Sequence, residues 1–231
     1  IELIEKGLLV RYVVASLFRV TMGYLAAVAV GVPLGFVLGW FRRGDKALGP
    51  LIQVFRPISP LAWIPIAILW FGVGDAPAVF IIFLGSFLPI TISAIHAISS
   101  IEPVHIHAGR NFGLSPYELV KKVLLPATIP QLMVGLRLAL GIAWLVVVAA
   151  EMIAVSSGLG FLIVDARNAG NRYDLVVSGM LLIGGVGIAL DACMRRIELM
   201  MARRWGYAPG LSPRPRSEKP AAVATELAGS T

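Results

Sequence analysis

The side chains with the clearest chemical disposition in this chain are cations in one polar break: Arg110, Lys121 and Lys122, between Glu102 and Pro126. Three cations in a polar break between long apolar segments suit a docking surface for another protein. The surrounding residues predict two short helices meeting at a glycine. Pro103 can open the first helix. Gly113 stands where it stops, because glycine takes the left-handed conformation without strain. Ser115 then fits as an N-cap, Pro116 as the first helical residue and Glu118 as the third, which completes a capping box, with Leu114 and Leu119 as the hydrophobic staple. Pro126 is expected to end the second helix.

Elsewhere the ionisable residues are isolated. Arg56, Arg137 and Glu151 lie in or at the edge of apolar segments, where a charge is costly and faces a cavity or a partner. Arg137 and Glu151 are about 21 Å apart along one helix, too far to pair within it. Arg56 or Arg137 would lower the barrier to an anion, with structural salt bridging as the competing reading. Glu151 is expected to support the loop from Ala154 to Arg172 rather than to contact a solute. Asp191 and Arg195, four residues apart, are expected to pair. His105 and His107 point to different helix faces, so no metal site is expected. Cys193 is the only cysteine, which excludes an intrachain disulfide. No phosphate-binding G-x-x-x-x-G-K-[ST] loop, nucleophile elbow or zinc-protease motif occurs, so the chain is expected to be non-catalytic and to need its energy from another subunit.

The elements that must position these residues are membrane spans. Of 231 residues, 58% are hydrophobic and 14% charged, against roughly 25% charged in soluble domains. Apolar runs long enough to cross a bilayer predict an all-α membrane protein with about five spans. They run near Val10–Trp40 (Arg11 and Arg19 in its first turns), Leu51–Gly72, Ala76–Ile98, Ile129–Ile153 and Leu175–Met194. The net charge of +7 reads as positive-inside loops rather than a nucleic-acid surface. With five spans, Arg42, Arg43 and Lys46, the elbow cations, and Arg195, Arg196, Arg203 and Arg204 all fall on one side, expected to be cytoplasmic.

The second span holds Pro57, Pro60 and Pro65, so one straight helix is excluded. Irregular backbone at membrane depth is tolerated where protein buries it or water lines it. Arg56 to Pro65 is therefore expected to face a pathway, with Trp63 as a constriction. Kinked packing is the competing reading. Gly31, Gly35 and Gly39 form a small-residue stripe for close helix packing, within one subunit or between two. Residues 1–205 read as one transmembrane domain. Residues 206–231, rich in Pro, Ser, Ala and charge, read as a disordered cytoplasmic tail.

The break also has a recognisable spacing. It resembles the cytoplasmic loop of type I ABC importer permeases, whose pattern is E-A-A, three residues, G, nine residues, then I-x-L-P. Here His107-Ala108-Gly109 takes the E-A-A place, Gly113 follows, and Val123-Leu124-Leu125-Pro126 closes the pattern. His107, Gly109 and Val123 depart from the commonest residues, and the missing glutamate removes one expected polar contact to an ATPase. The resemblance extends from about Ser16 to Arg196. The strings Arg56–Pro65, Leu69–Gly74 and Gly135–Trp144 are similar to the nitrate, sulfonate, taurine and bicarbonate branch.

The resemblance implies that His107, Ala108, Gly109, Arg110, Gly113, Leu125 and Pro126, within an elbow at 102–126, couple to an ATPase. The prolines and the ionisable residues of the apolar segments make Arg56, Pro60, Trp63, Pro65, Arg137 and Glu151 the pathway candidates. The implied partners are a second copy of the permease, two cytoplasmic ATPase subunits carrying ATP and magnesium, and an external solute-binding protein. The implied solute is a small anion, the implied location the bacterial inner membrane, and one further helix is implied before Ile1. An autonomous secondary transporter or channel is the alternative, which the lack of a clear inverted repeat disfavours.

Overall fold

A computed structural model of the chain describes residues 8–40, 54, 57–168 and 173–204. Every regular element among them is helical. Helix α1 spans Leu8–Trp40, a 3-10 turn spans Pro60–Trp63, and α2 spans Ile64–Phe71. Helix α3 spans Asp75–Ser99, α4 Pro103–Asn111 and α5 Pro116–Leu119. A π turn at Val120–Leu124 leads into α6, Leu125–Ala154. Helices α7, Leu159–Asn168, and α8, Tyr173–Arg204, complete the series.

Four of these helices are long and apolar enough to cross a membrane: α1, α3, α6 with its preceding turns, and α8. Among the described residues, the expected span at 51–72 contributes the 12-residue apolar stretch Pro60–Phe71. Pro60 and Pro65 sit at helix starts, where a missing N–H costs nothing. Residues 51–53, 55 and 56 of that span lie outside the described residues, as do Arg42, Arg43, Lys46 and the expected tail.

The direction of packing fixes how the chain runs. Gly23 faces Ile82, Gly31 faces Ile90, Gly35 faces Ala94 and Gly39 faces Ile98, so α1 and α3 are parallel. The chain between Trp40 and Asp75 must therefore return through the same thickness, and Pro60–Phe71 is the described part of that return.

The glycine stripe is thus used inside the subunit. A Cβ at Gly35 would lie 2.5 Å from Ala94 Cβ and 2.6 Å from Thr91 O, so only glycine permits this separation. On the other flank of α3, Gly85 meets Val146 and Gly135 meets Ser93, an antiparallel contact with α6. Helix α3 is therefore the centre. Its apolar stretch is 50% buried, against 6% in α8, so α8 presents nearly all its apolar surface to lipid or to another chain. The core is built of Ala27, Ala67, Ala139, Ala143, Ile81, Ile82, Ile90 and Val147, small and β-branched residues that favour dispersion packing between helices in lipid.

Candidate functional site

At one end of the bundle the chain forms the elbow. Helix α4 opens on Pro103 after the extended Glu102. Its end is a Schellman motif: the Gly113 N–H donates to Arg110 O (2.9 Å) and the Leu114 N–H to Gly109 O (3.2 Å). Gly113 has φ +75°, the left-handed conformation this motif requires. The capping box follows as its residues dictate. The Glu118 N–H donates to Ser115 Oγ (3.3 Å) and the Ser115 N–H donates to Glu118 Oε2 (3.1 Å). Lys122 Nζ donates to Glu118 Oε1 at 2.8 Å. The Lys122 bond first, and the Ser115 bonds next, hold the Glu118 carboxyl down at about 2.

Gly109 is buried under this turn. A Cβ there would lie 2.5 Å from Leu119 Cδ1 and 3.5 Å from Leu114 Cδ1 and Val123 Cγ2, so the expected staple residues close over α4 only because Gly109 lacks a side chain. His107, Ala108, Arg110 and Gly113 are exposed. Two aromatics not singled out in the sequence stand beside them: Phe112 is 85% and Tyr117 73% exposed. The Lys121 ammonium lies 5.9 Å from the Tyr117 ring centroid. The elbow thus presents aromatic and basic groups together on a rigid frame, the composition of protein interfaces. Their signal in the sequence was apolar character inside a polar break.

Pro126 does not end the second short helix, as expected, but continues it. The Leu125 N–H reaches back five residues to Val120 O, and this wider turn lets α5 run into α6. A proline's ring crowds the carbonyl four residues back and supplies no N–H; a π turn is one known way for a helix to absorb such a defect. Leu125 is exposed and Pro126 half-buried. From Pro116 to Ala154 the chain is one 39-residue helical unit.

Next to α6 is a groove of about 410 Å³, lined by Pro60, Gly85, Pro89, Ser93, Gly135 and Leu138 among others. Of the six pathway candidates, Pro60 alone lines it. Trp63 is half-buried and packs against the core. Pro65 is exposed, and Arg56 lies outside the described residues. Arg137 grips Asp191 by a two-pronged contact, Nε–Oδ1 2.6 Å and Nη2–Oδ2 2.7 Å, with Glu198 3.7 Å from Nη1. The carboxylate expected to pair with Arg195 thus joins α8 to α6. Among the described residues no group of His, Cys, Asp and Glu could hold a metal ion.

Glu151, also expected near a pathway, is fully buried at the far end of the bundle. Its Oε1 takes Arg19 Nη1 (2.8 Å), and its Oε2 takes Ser16 Oγ (2.9 Å) and the Gly160 N–H (2.9 Å). It supports the turn into α7, consistent with the expectation for that loop. Arg19 is 2% exposed. It also donates to Asp75 Oδ1 (2.8 Å), Ser157 O (2.8 Å) and Ser157 Oγ (2.5 Å). Sequence reasoning missed this cluster. Its available signal was a cation and a carboxylate set in separate apolar helices at comparable depth.

The family of binding-protein-dependent transport system inner membrane components matches residues 31–207. The chain is 40% identical over 197 residues to a protein of Methanocaldococcus jannaschii described as an ABC transporter permease, covering 85% of this chain and 73% of that one. It is 38% identical to the nitrate import permease NrtB of Synechococcus elongatus (81% and 67% covered) and 34% identical to the taurine transport system permease TauC of Escherichia coli (81% and 68%). The fold matches a chain of the MetNI methionine ABC transporter in inward-facing conformations, with TM-score 0.74 at 22% identity, covering 85% of this chain and 97% of that one. Sequence and fold agree: this chain belongs to the inner membrane components of binding-protein-dependent transport systems, and is a multi-pass permease subunit of an ABC importer.

Proposed function

We propose that the chain works as a symmetric pair, each copy docking one cytoplasmic ATPase through its elbow and both receiving solute from an external binding protein. The observation that carries this is mechanical. An exposed aromatic and basic knob, held by a Schellman turn and a capping box, is joined without a break to the 30-residue α6 that lines the groove. Movement of the ATPase subunits on binding nucleotide would tilt α6 directly. ATP and magnesium belong to those subunits. Exposed His107, Ala108, Arg110 and Gly113 form the docking face, and buried Gly109 with Leu125 and Pro126 shapes its frame.

The groove beside Pro60, Ser93 and Gly135 is this copy's share of the solute pathway, with Ile58 and Pro60 in its wall. The solute is a small oxyanion of the nitrate, bicarbonate, sulfonate or taurine type, in line with the names of the relatives. The described residues that line the groove carry no charge, and Arg137 and Arg19 outside it are both neutralised by carboxylates. Discrimination between anions then belongs to the binding protein.

Affinity purification from native membranes, with the co-purifying chains identified by mass spectrometry, tests the reading. An ATPase and a binding protein should accompany the wild type, and Gly113→Asp should lose the ATPase alone. A chain that comes out by itself in both forms contradicts the proposal.

A further inference from the structure

We propose that Arg19 and Glu151 are positioning residues for transport: they lock α7 to the outer end of α6, so that the tilt begun at the elbow carries α7 with it. This rests on the coupling role proposed for the elbow.

Helix α7 begins with backbone N–H groups that have no partner in their own helix. Two of them are met from other helices. The Gly160 N–H donates to Glu151 Oε2 of α6, and the Leu159 N–H donates to Ser16 Oγ of α1 at 3.0 Å. Ser16 Oγ in turn donates to the same carboxylate oxygen. Glu151 therefore caps a helix that follows it in the chain, with negative charge placed at the N-terminus where it is favoured.

Arg19 balances that charge and spends every nitrogen of its guanidinium doing so. Its acceptors are Glu151 on α6, Asp75 at the start of α3, and Ser157 in the turn before α7. One side chain thus ties four parts of the fold. The planar fork suits this, and a lysine ammonium could not span the same acceptors. Tyr12 and Phe161 add an edge-on ring contact between α1 and α7 at 6.3 Å.

The fit leaves no room for sliding. At Gly158, φ +110°, a Cβ would overlap the Glu151 carboxylate, and at Gly160 it would overlap Val148 O. Displacing α7 along α6 would strand a fully buried carboxylate or guanidinium, the least tolerated change in such a site. The end of α6 and the start of α7 must therefore move together. The lock lies about 39 Å along α6 from Leu125, so α6 is a lever with the elbow at one end and this cluster at the other.

The test uses the assembled transporter with Cys193 replaced by serine. Spin labels at Phe112→Cys or Arg167→Cys report the distance between the two copies, with and without ATP and vanadate. In the wild-type background both distances should shift. With Arg19→Met the Arg167 shift should vanish while the Phe112 shift persists. Arg19→Met/Glu151→Met, which leaves no buried charge unpaired, should do the same and remains usable should the single variant fail to fold. Arg19→Lys should lose most of the Arg167 shift. An Arg167 shift that survives in the double variant overturns the lock. A Phe112 distance that never moves in the wild-type background counts instead against the elbow as the coupling site.

Discussion

The two ends of α6 are built on opposite plans. The elbow is exposed and held by bonds between residues three to five apart, from Gly109–Leu114 to Ser115–Glu118. The outer cluster is buried and, apart from the Gly160–Glu151 bond nine residues apart, is held by bonds between residues 56 to 143 apart. An element that must meet another protein benefits from a shape fixed locally, so that its surface remains free. An element that must hold several helices together has to draw on all of them.

That contrast orders the expected effects. The largest should come from Gly113→Asp. No atom lies within 4 Å of a Cβ at that position, so the variant should insert and fold. Aspartate, like asparagine, is among the residues that tolerate φ +75°, so its effect comes chiefly from the new charge in the docking face. Transport in membrane vesicles should fall about a hundredfold, near the upper end of an allosteric coupling. Gly113→Asn, which tolerates this conformation, should keep much more activity. Equal loss in both would place the defect in the side chain's bulk rather than in its charge.

In stability, as distinct from transport, the largest effect belongs to the outer cluster. Arg19→Met or Glu151→Gln should lower stability by about 3–5 kcal/mol, because each leaves a buried partner unsatisfied. The double substitution Arg19→Met/Glu151→Met should recover most of that loss. Denaturant titration of the purified chain in detergent reads this out, and additive losses would mean that the pair is not coupled.

Gly35→Ala should cost about 1–3 kcal/mol by forcing α1 off α3, seen as a lower midpoint in the same titration. Ser115→Ala should cost only about 1 kcal/mol. The cap itself should be insensitive to pH near neutrality. The folded Glu118 value of about 2 lies below its ordinary 4.5, so its contribution is complete above 4.5 and is lost as pH falls toward 2. A cap that weakens between pH 5 and 8, followed by hydrogen exchange at Glu118, would contradict this assignment.

The same contrast explains what the sequence revealed. The elbow was legible because capping, the glycine turn and the staple are all written within a dozen residues. Pro126 was misjudged since the rule against interior proline considers only the ordinary turn, whereas here a π turn intervenes. The interruption of the second apolar segment followed from three prolines. Its return across the membrane required the parallel packing of α1 and α3, which no local signal carries. Glu151 was suspected of supporting the turn after α6, but Arg19 and Ser16 were beyond reach, since nothing local marks a partner more than 130 residues away. Arg137 invited a role with anions until Asp191, on a different helix, supplied its counter-charge.

The most direct test of the central claim is photocrosslinking from the two ends. A photoreactive residue would replace Phe112 at the elbow or Tyr173 at the start of α8, both exposed, in cells expressing the complete transporter. The account predicts an ATPase adduct from position 112 and none from position 173. An ATPase adduct from position 173, or none from position 112 while transport remains intact, would contradict it.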